Sequence, residues 1–200
     1  MCRLLETIKV ENGQFNNIGY HNKRMNEARS AIFGEQKKLR LEKEIRLPPQ
    51  VTTGLYRCRV IYRKTIENVE FLTVCPRLFN SLKIVRDPQI SYPFKFEDRS
   101  SLDRLSCQKG SADEIIIIKN HLVTDCSIGN MVFYDGTTWF TPDSPLLKGT
   151  QRQFLLDHQL IRERKISEKD IFSYKKAGLI NAFFGMKNMP VIKIENIFVE

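Results

Sequence analysis

The chain has no Cys-x-x-Cys pair, no internal repeat, no low-complexity tract and no apolar run long enough to span a membrane. Each absence excludes a class. Its five cysteines (Cys2, Cys58, Cys75, Cys107 and Cys126) are odd in number and widely spaced. Neither a zinc site nor a disulfide framework is expected from them, and no metal is. Reduced thiols and a cytoplasmic location are the simplest reading. The lack of a long apolar run excludes a membrane-spanning helix. Met1-Cys2-Arg3 is too short ahead of Glu6 for a signal peptide. What the chain does have is positive charge, +9 overall, and 42% hydrophobic residues in 200, enough for one large or two small domains.

The charge raises a nucleic-acid-binding module as a rival to an enzyme. Its densest part is Lys37 to Arg46, but Glu42 and Glu44 interrupt it and no stacking aromatics accompany it. That pattern suits a solvated helix face better than a phosphate stripe. A basic site would also attract an anionic cofactor or a carboxylate substrate.

Residues 1–87 read as a strand, a hairpin, two helices and three more strands; residues 88–200 read as a second unit. Asn12-Gly13 is a hairpin-turn signal. Tyr20 to Phe33 carries Met25, Ala28 and Ile32 at helical spacing. Leu55 to Arg63 alternates, with Tyr56, Cys58, Val60 and Tyr62 on one side and Arg57, Arg59 and Arg63 on the other. Those arginines suit a substrate carboxylate or the wet face of a sheet. A helix is expected over Ser100 to Gln108, a buried strand over Ile115 to Ile118, and a capping box at Ser167-Glu168-Lys169-Asp170.

Chemistry concentrates between Thr124 and Arg152. Asp125 follows a strand; Ser127 to Asn130 is a segment of mostly small residues. Met131 to Tyr134, Asp135-Gly136 and Thr137 to Phe140 form a hairpin. After Thr141-Pro142, Leu147-Lys148-Gly149 opens a helix with Phe154, Leu155 and His158 expected inside. A carboxylate at a strand end and a helix N-terminus opened by glycine are two things a phosphorylated cofactor needs. Taken singly each is weak, since most helices that follow glycine bind nothing and an Asp beside a turn is usually a local cap.

The order and spacing of these parts resemble the signature of the class IV pyridoxal-phosphate enzymes, which include branched-chain and D-amino-acid aminotransferases and aminodeoxychorismate lyase. The resemblance extends to Leu5-Glu6-Thr7-Ile8, Asn12-Gly13 and His21-Asn22-Lys23-Arg24, similar to the family's opening strand, turn and His-x-x-Arg helix. It implies an α+β fold of the two-domain D-amino-acid aminotransferase type (fold type IV), with pyridoxal 5'-phosphate between the domains, and a homodimer. It implies Asp125 against the pyridine nitrogen, where the family usually has Glu. It implies Gly149, Thr150 and Gln151 at the phosphate, where many members have an Ile-Thr pair instead of Thr150-Gln151. Arg24 falls on the family's phosphate-contacting position, although alone it reads as a solvated helix charge; His21 reads as structural.

The cofactor aldehyde requires a lysine. Lys95 lies at the family's distance upstream of Asp113-Glu114, flanked by Phe94 and Phe96, which would desolvate its amine. Lys83 fits the spacing less well. Asn181, in Leu179 to Phe184, resembles the family's last phosphate-side loop in its Asn-Ala form, closer to the lyase, and reads equally as a strand-end asparagine. The chain also begins almost at the Glu-Thr strand, without the N-terminal hairpin and Gly-Asp-Gly element usual in the family. The substrate wall is therefore expected to be trimmed or completed by a partner subunit. The implied activity is transamination of an amino acid, with a keto acid as the other small-molecule substrate. The alternative is a lyase releasing pyruvate and 4-aminobenzoate.

Overall fold

In a computed structural model that describes residues 2–75 and 77–199, the chain forms two compact units. The first comprises Met1–Pro76 with Phe94–Asp98; the second comprises Arg77–Pro93 with Arg99–Glu200. The sequence places the division after Asp87. The chain divides earlier because Leu82–Arg86 pairs in parallel with Glu114–Lys119 of the second unit, and 94–98 then returns to the first.

The first unit is an antiparallel sheet with a helix on one face. β1 (Leu4–Glu11) turns through Asn12 and Gly13 into β2 (Gln14–Phe15). Both turn residues have positive φ, 49° and 74°, which the mirror-image hairpin turn requires. α1 is Ile18–Phe33 and α2 is Leu41–Glu44. β3 (Leu55–Tyr62) and β4 (Ile66–Thr73) complete the sheet, in the order β2-β1-β3-β4. Strand alternation sends Leu4, Ile8 and Val10 of β1, and Cys58, Val60 and Tyr62 of β3, into one core with Met25 and Ala28 of α1. The opposite face carries Arg57 and Arg59, and Arg59 is tied to Glu70 at 2.7 Å, as a solvated sheet face would be.

The second helix expected near Lys37 to Arg46 shrinks to the single turn α2. Side chains of α1 hold that stretch instead. Asn22 accepts from Leu41 N–H, Asn26 bonds both Leu39 N–H and C=O, and Arg29 donates to Lys37 C=O. A backbone whose polar groups are taken by another helix has none left for its own ladder.

The second unit has two sheets. β5 (Leu82–Arg86), α3 (Ser100–Ser106), β6 (Glu114–Lys119) and β7 (Leu122–Val123) come first. β8 (Asn130–Tyr134), β9 (Trp139–Pro142), α4 (Thr150–Asp157) and β10 (Arg162–Arg164) follow. β11 (Lys176–Ile180), β12 (Val191–Lys193) and β13 (Ile197–Phe198) close the chain. The sheet orders are β10-β9-β8-β11-β12 and β13-β5-β6-β7. Period-2 alternation explains the layering. Met131 and Phe133 of β8 join Ile116 and Ile118 of β6 in a core between the sheets, while Val132 faces Leu155 of α4 on the other side. His158, expected inside, is exposed: α4 has ended at Asp157, and the imidazole lies over the Phe154 ring at 4.1 Å. Among the described residues no helix is long and apolar enough to cross a membrane.

Candidate active site

Each unit gathers its own set of the expected residues. In the second unit the set is built on Asp125. Its segment is fixed from behind: Ile117 N–H donates to the Asp125 carbonyl at 2.8 Å, and Thr124 bonds Ile117 through both its N–H and its hydroxyl. The chain then reverses tightly through Cys126 to Gly129, so that Asp125 and Asn130 form an antiparallel bridge. Glu114, the second residue of the Asp113-Glu114 pair, anchors this reversal by accepting the Ser127 hydroxyl at 2.9 Å, and Arg99 donates to Ser127 C=O at 2.9 Å.

The Asp125 carboxylate is only 4% exposed, and both its oxygens are engaged. Oδ1 accepts from Asn130 Nδ2 at 2.7 Å, and Oδ2 accepts from Leu147 N–H at 2.9 Å. Burial pushes its pKa up to about 7, against the opposing pull of the Leu147 and Asn130 donors and of the Arg152 charge. A desolvated carboxylate with neutral donors and no bonded cation suits a positively charged partner, because only such a partner makes its charged form favourable in a dry setting.

Leu147 lies two residues before Gly149, the N-cap of α4. The helix start has no side-chain cap bond and no acidic residue in its first turn, so its dipole is left to favour an anion. Gly149 has a φ of −68°, which any residue can adopt. It is glycine for space: a Cβ there would fall well inside 3.0 Å of Asn130 Oδ1. Thr150 is buried and Gln151 half-buried at the helix start. Buried Arg152 is held by Pro142 C=O and Glu163, at 2.9 and 2.6 Å. The carboxylate and the helix terminus thus belong to one hydrogen-bonded piece, which fits the ring-nitrogen and phosphate ends of pyridoxal phosphate.

Asn181 follows β11 directly. Its Oδ1 accepts from Phe183 and Phe184 N–H, at 2.9 and 3.1 Å, and its Nδ2 reaches Ile128 C=O at 3.3 Å. It shapes the strand-end turn and ties it to the reversal after Asp125.

In the first unit, Lys95 sits in the segment that returns to β1. Its C=O accepts from Leu5 N–H at 2.8 Å, and Phe96 N–H bonds back to Phe94 C=O at 2.9 Å, placing Lys95 at the corner of a three-residue turn. Phe94 and Phe96 meet edge to face at 6.2 Å and pack against the core of this unit. Lys95 itself is half-buried, and its charge is felt at His21.

Arg24 is not a solvated helix charge. Its Nε and one terminal nitrogen donate to both oxygens of Glu6, at 2.8 and 2.5 Å, and Glu6 is fully buried. His21 Nδ1 lies 2.6 Å from the same carboxylate. Burial works against the Glu6 charge, but Arg24 and the His21 and Arg24 bonds outweigh it and hold the carboxyl at about 2. Burial lowers the His21 pKa, only partly countered by Glu6, which favours the neutral imidazole at neutral pH; a carboxylate facing Nδ1 requires the tautomer that donates from it. Glu6 and Asn130 are not among the site residues that the sequence motif marks. Glu6 left a signal: it shares its strand parity with apolar Leu4, Ile8 and Val10 and so had to be buried. Asn130 left one as well: it ends the small-residue segment that resembles the family signature, five residues after Asp125, but its contact with Gly149 spans nineteen residues and is hidden in the sequence.

Three comparisons bear on this geometry. The family model for amino-transferase class IV matches residues 99–194. An uncharacterized protein of Haemophilus influenzae is 38% identical over 188 residues, covering 93% of this chain and all of that protein. Among solved structures, a proposed 4-amino-4-deoxychorismate lyase from Haemophilus somnus superposes with a TM-score of 0.88 at 38% identity, covering 93% of this chain and 98% of that one. At the level of fold alone, a fold IV transaminase from Curtobacterium pusillum superposes with a TM-score of 0.72 at 14% identity, over 96% of this chain and 76% of that one. With these motifs, this fold and relatives matched over nearly their whole length, the chain belongs to the class IV aminotransferase family of pyridoxal-phosphate enzymes.

Proposed function

We propose that this protein is an aminotransferase acting on an amino acid, with a keto acid as amino acceptor. The observation that carries the reading is Asp125, a buried carboxylate engaged by Asn130 and by the backbone that leads into α4. When bound, pyridoxal phosphate supplies an aldehyde that captures the substrate amine and a ring that accepts electrons from the α carbon. The protein's part is to make this chemistry directional. Asp125 would hold a proton on the ring nitrogen and so sustain that electron demand. The N–H groups of Thr150 and Gln151, at the start of α4, would hold the phosphate, and Arg24 would supply a guanidinium. Glu6 and His21 orient that guanidinium. Lys95 is the residue whose amine would hold the cofactor through its aldehyde. The same amine would serve as the general base for the proton on the substrate's α carbon. Asn181 would border this site, an assignment supported by its bond to Ile128 C=O in the reversal that follows Asp125.

A second reading is a lyase that expels pyruvate, favoured by the name given to the Haemophilus somnus structure and by the Asn181-Ala182 form of the last loop. The two share proton removal and part afterwards. Rapid mixing of the cofactor-loaded protein with a panel of L- and D-amino acids separates them. Transfer of the amino group converts the cofactor to its amine form, with loss of visible absorption, and releases a keto acid. No conversion with any amino acid, together with pyruvate release from aminodeoxychorismate, makes the protein a lyase.

A further inference from the structure

We propose that Asn130 is the positioning residue that aims Asp125 at the cofactor's ring nitrogen and couples that carboxylate to the phosphate turn at Gly149. The inference deepens the reading of Asp125 given above and rests on it. Asn130 Nδ2 donates twice, to Asp125 Oδ1 at 2.7 Å and to Leu147 C=O at 2.8 Å. Two acceptors on that side fix which end of the amide is nitrogen. The other end, Oδ1, fills the place that a Cβ of Gly149 would take, so the amide can neither flip nor swing without losing both bonds or striking the turn. Leu147 closes the ring from the other direction, its N–H on Asp125 Oδ2 and its C=O on Asn130. Asp125 and Asn130, at the two ends of one tight reversal, therefore share a hydrogen-bonded cycle with Leu147, seventeen residues on, and each of the two is 4% exposed. Each Asp125 oxygen accepts one bond within this cycle, and a carboxylate has acceptor capacity beyond those two for a donor on the cofactor. Rotation of the carboxylate would break both of its bonds, so its aim is set before any cofactor arrives. Such supporting partners keep a reactive group within the narrow geometry its chemistry needs.

The test uses the full chain stripped of cofactor and two probes. One is pyridoxal phosphate; the other is the same molecule with CH in place of the ring nitrogen. Both carry the phosphate and the aldehyde, so the ratio of their dissociation constants reports the ring-nitrogen contact alone. The wild-type protein should prefer pyridoxal phosphate. Asn130→Ala should shrink that preference about tenfold or more, the loss expected for a charge-assisted hydrogen bond. Asp125→Ala should abolish it. Should Asn130→Ala fold poorly, Asn130→Ala with Gly149→Ala refills the vacated space and gives the same ratio, since any damage to the phosphate turn affects both probes. An unchanged preference in Asn130→Ala, beside a lost one in Asp125→Ala, would show that Asn130 serves the fold only. If Asp125→Ala keeps the preference, the ring-nitrogen reading itself falls, and this proposal with it. Equal weakening of both probes in Asn130→Ala also overturns the proposal.

Discussion

Asp125 and Glu6 are both buried carboxylates, and their surroundings push them in opposite directions. Glu6 has a guanidinium and an imidazole on it and is held at about 2; Asp125 has only neutral donors bonded to it and is pushed up to about 7. The consequences for stability have opposite signs. The Glu6 contribution is present above 4.5 and is lost as the pH falls from there towards 2. Asp125 binds its proton more tightly in the folded protein, so its contribution is present below 3.8 and is lost as the pH rises to 7. The whole loss is on the order of 4 kcal/mol. His21, with its lowered pKa, works the other way up to 6.5, which is why the comparison must be between variants. In urea unfolding of the cofactor-free protein, Asp125→Asn should gain on the wild type steadily between pH 4 and pH 7 by a few kcal/mol. A pH-independent difference would mean that Asp125 is already ionised when the cofactor is absent. With cofactor present the expectation reverses, because a buried ion pair that loses one member is destabilised by about 3–5 kcal/mol. Asp125→Ala should then lose cofactor affinity and nearly all turnover. Lys95 is tested at the same scale: borohydride treatment of the loaded protein should fix the cofactor to Lys95, read by peptide mapping, and recovery on Lys83 would transfer the assignment.

At the scale of elements, α1 and α4 present their charges differently. Arg24 of α1 is locked to β1 by two bonds to Glu6, so its removal affects fold as well as binding. Arg24→Ala should destabilise the protein by roughly 3–5 kcal/mol and raise the cofactor dissociation constant more than it lowers the rate at saturating cofactor. Unchanged affinity with reduced stability would confine Arg24 to bracing β1. For α4 the expected change lies at its first turn. In Gly149→Ala the new methyl meets Asn130 Oδ1, and Asn130 is pinned by its own two bonds. Overpacking of this kind costs about 1–3 kcal/mol. Thermal unfolding of the cofactor-free variant should show that loss, and a neutral outcome would mean that the Asn130 amide yields easily.

For the whole molecule, a ligand that binds only the folded chain raises its stability by mass action. At about 100 times its dissociation constant, pyridoxal phosphate should add ~2.7 kcal/mol. The melting temperature should rise accordingly in the wild type and much less in Asp125→Ala. A similar rise in both would place the main contacts elsewhere.

The elements of this protein were largely legible in its sequence because they rest on short-range physics. The Asn12-Gly13 turn, the apolar spacing of α1, the β-branched run of β6 and the Asp135-Gly136 hairpin each depend on residues a few positions apart. The ordered motif from Asp125 to Gly149 was legible for a different reason, its resemblance to the signature of the class IV family, since each of its parts taken singly is weak. What tertiary structure alone decided is how those residues are held. Glu6 became the anchor of Arg24 because strand parity buried a carboxylate opposite α1. The stretch after α1 lost its helix because side chains of α1 took its backbone groups. The unit boundary moved because β5 found a parallel partner in β6, beyond the intervening return of residues 94–98. Asn130 entered the site because the fold set it against both Asp125 and Gly149. Local propensity acts through neighbours in sequence, whereas a buried charge or amide must find its partner wherever packing supplies one.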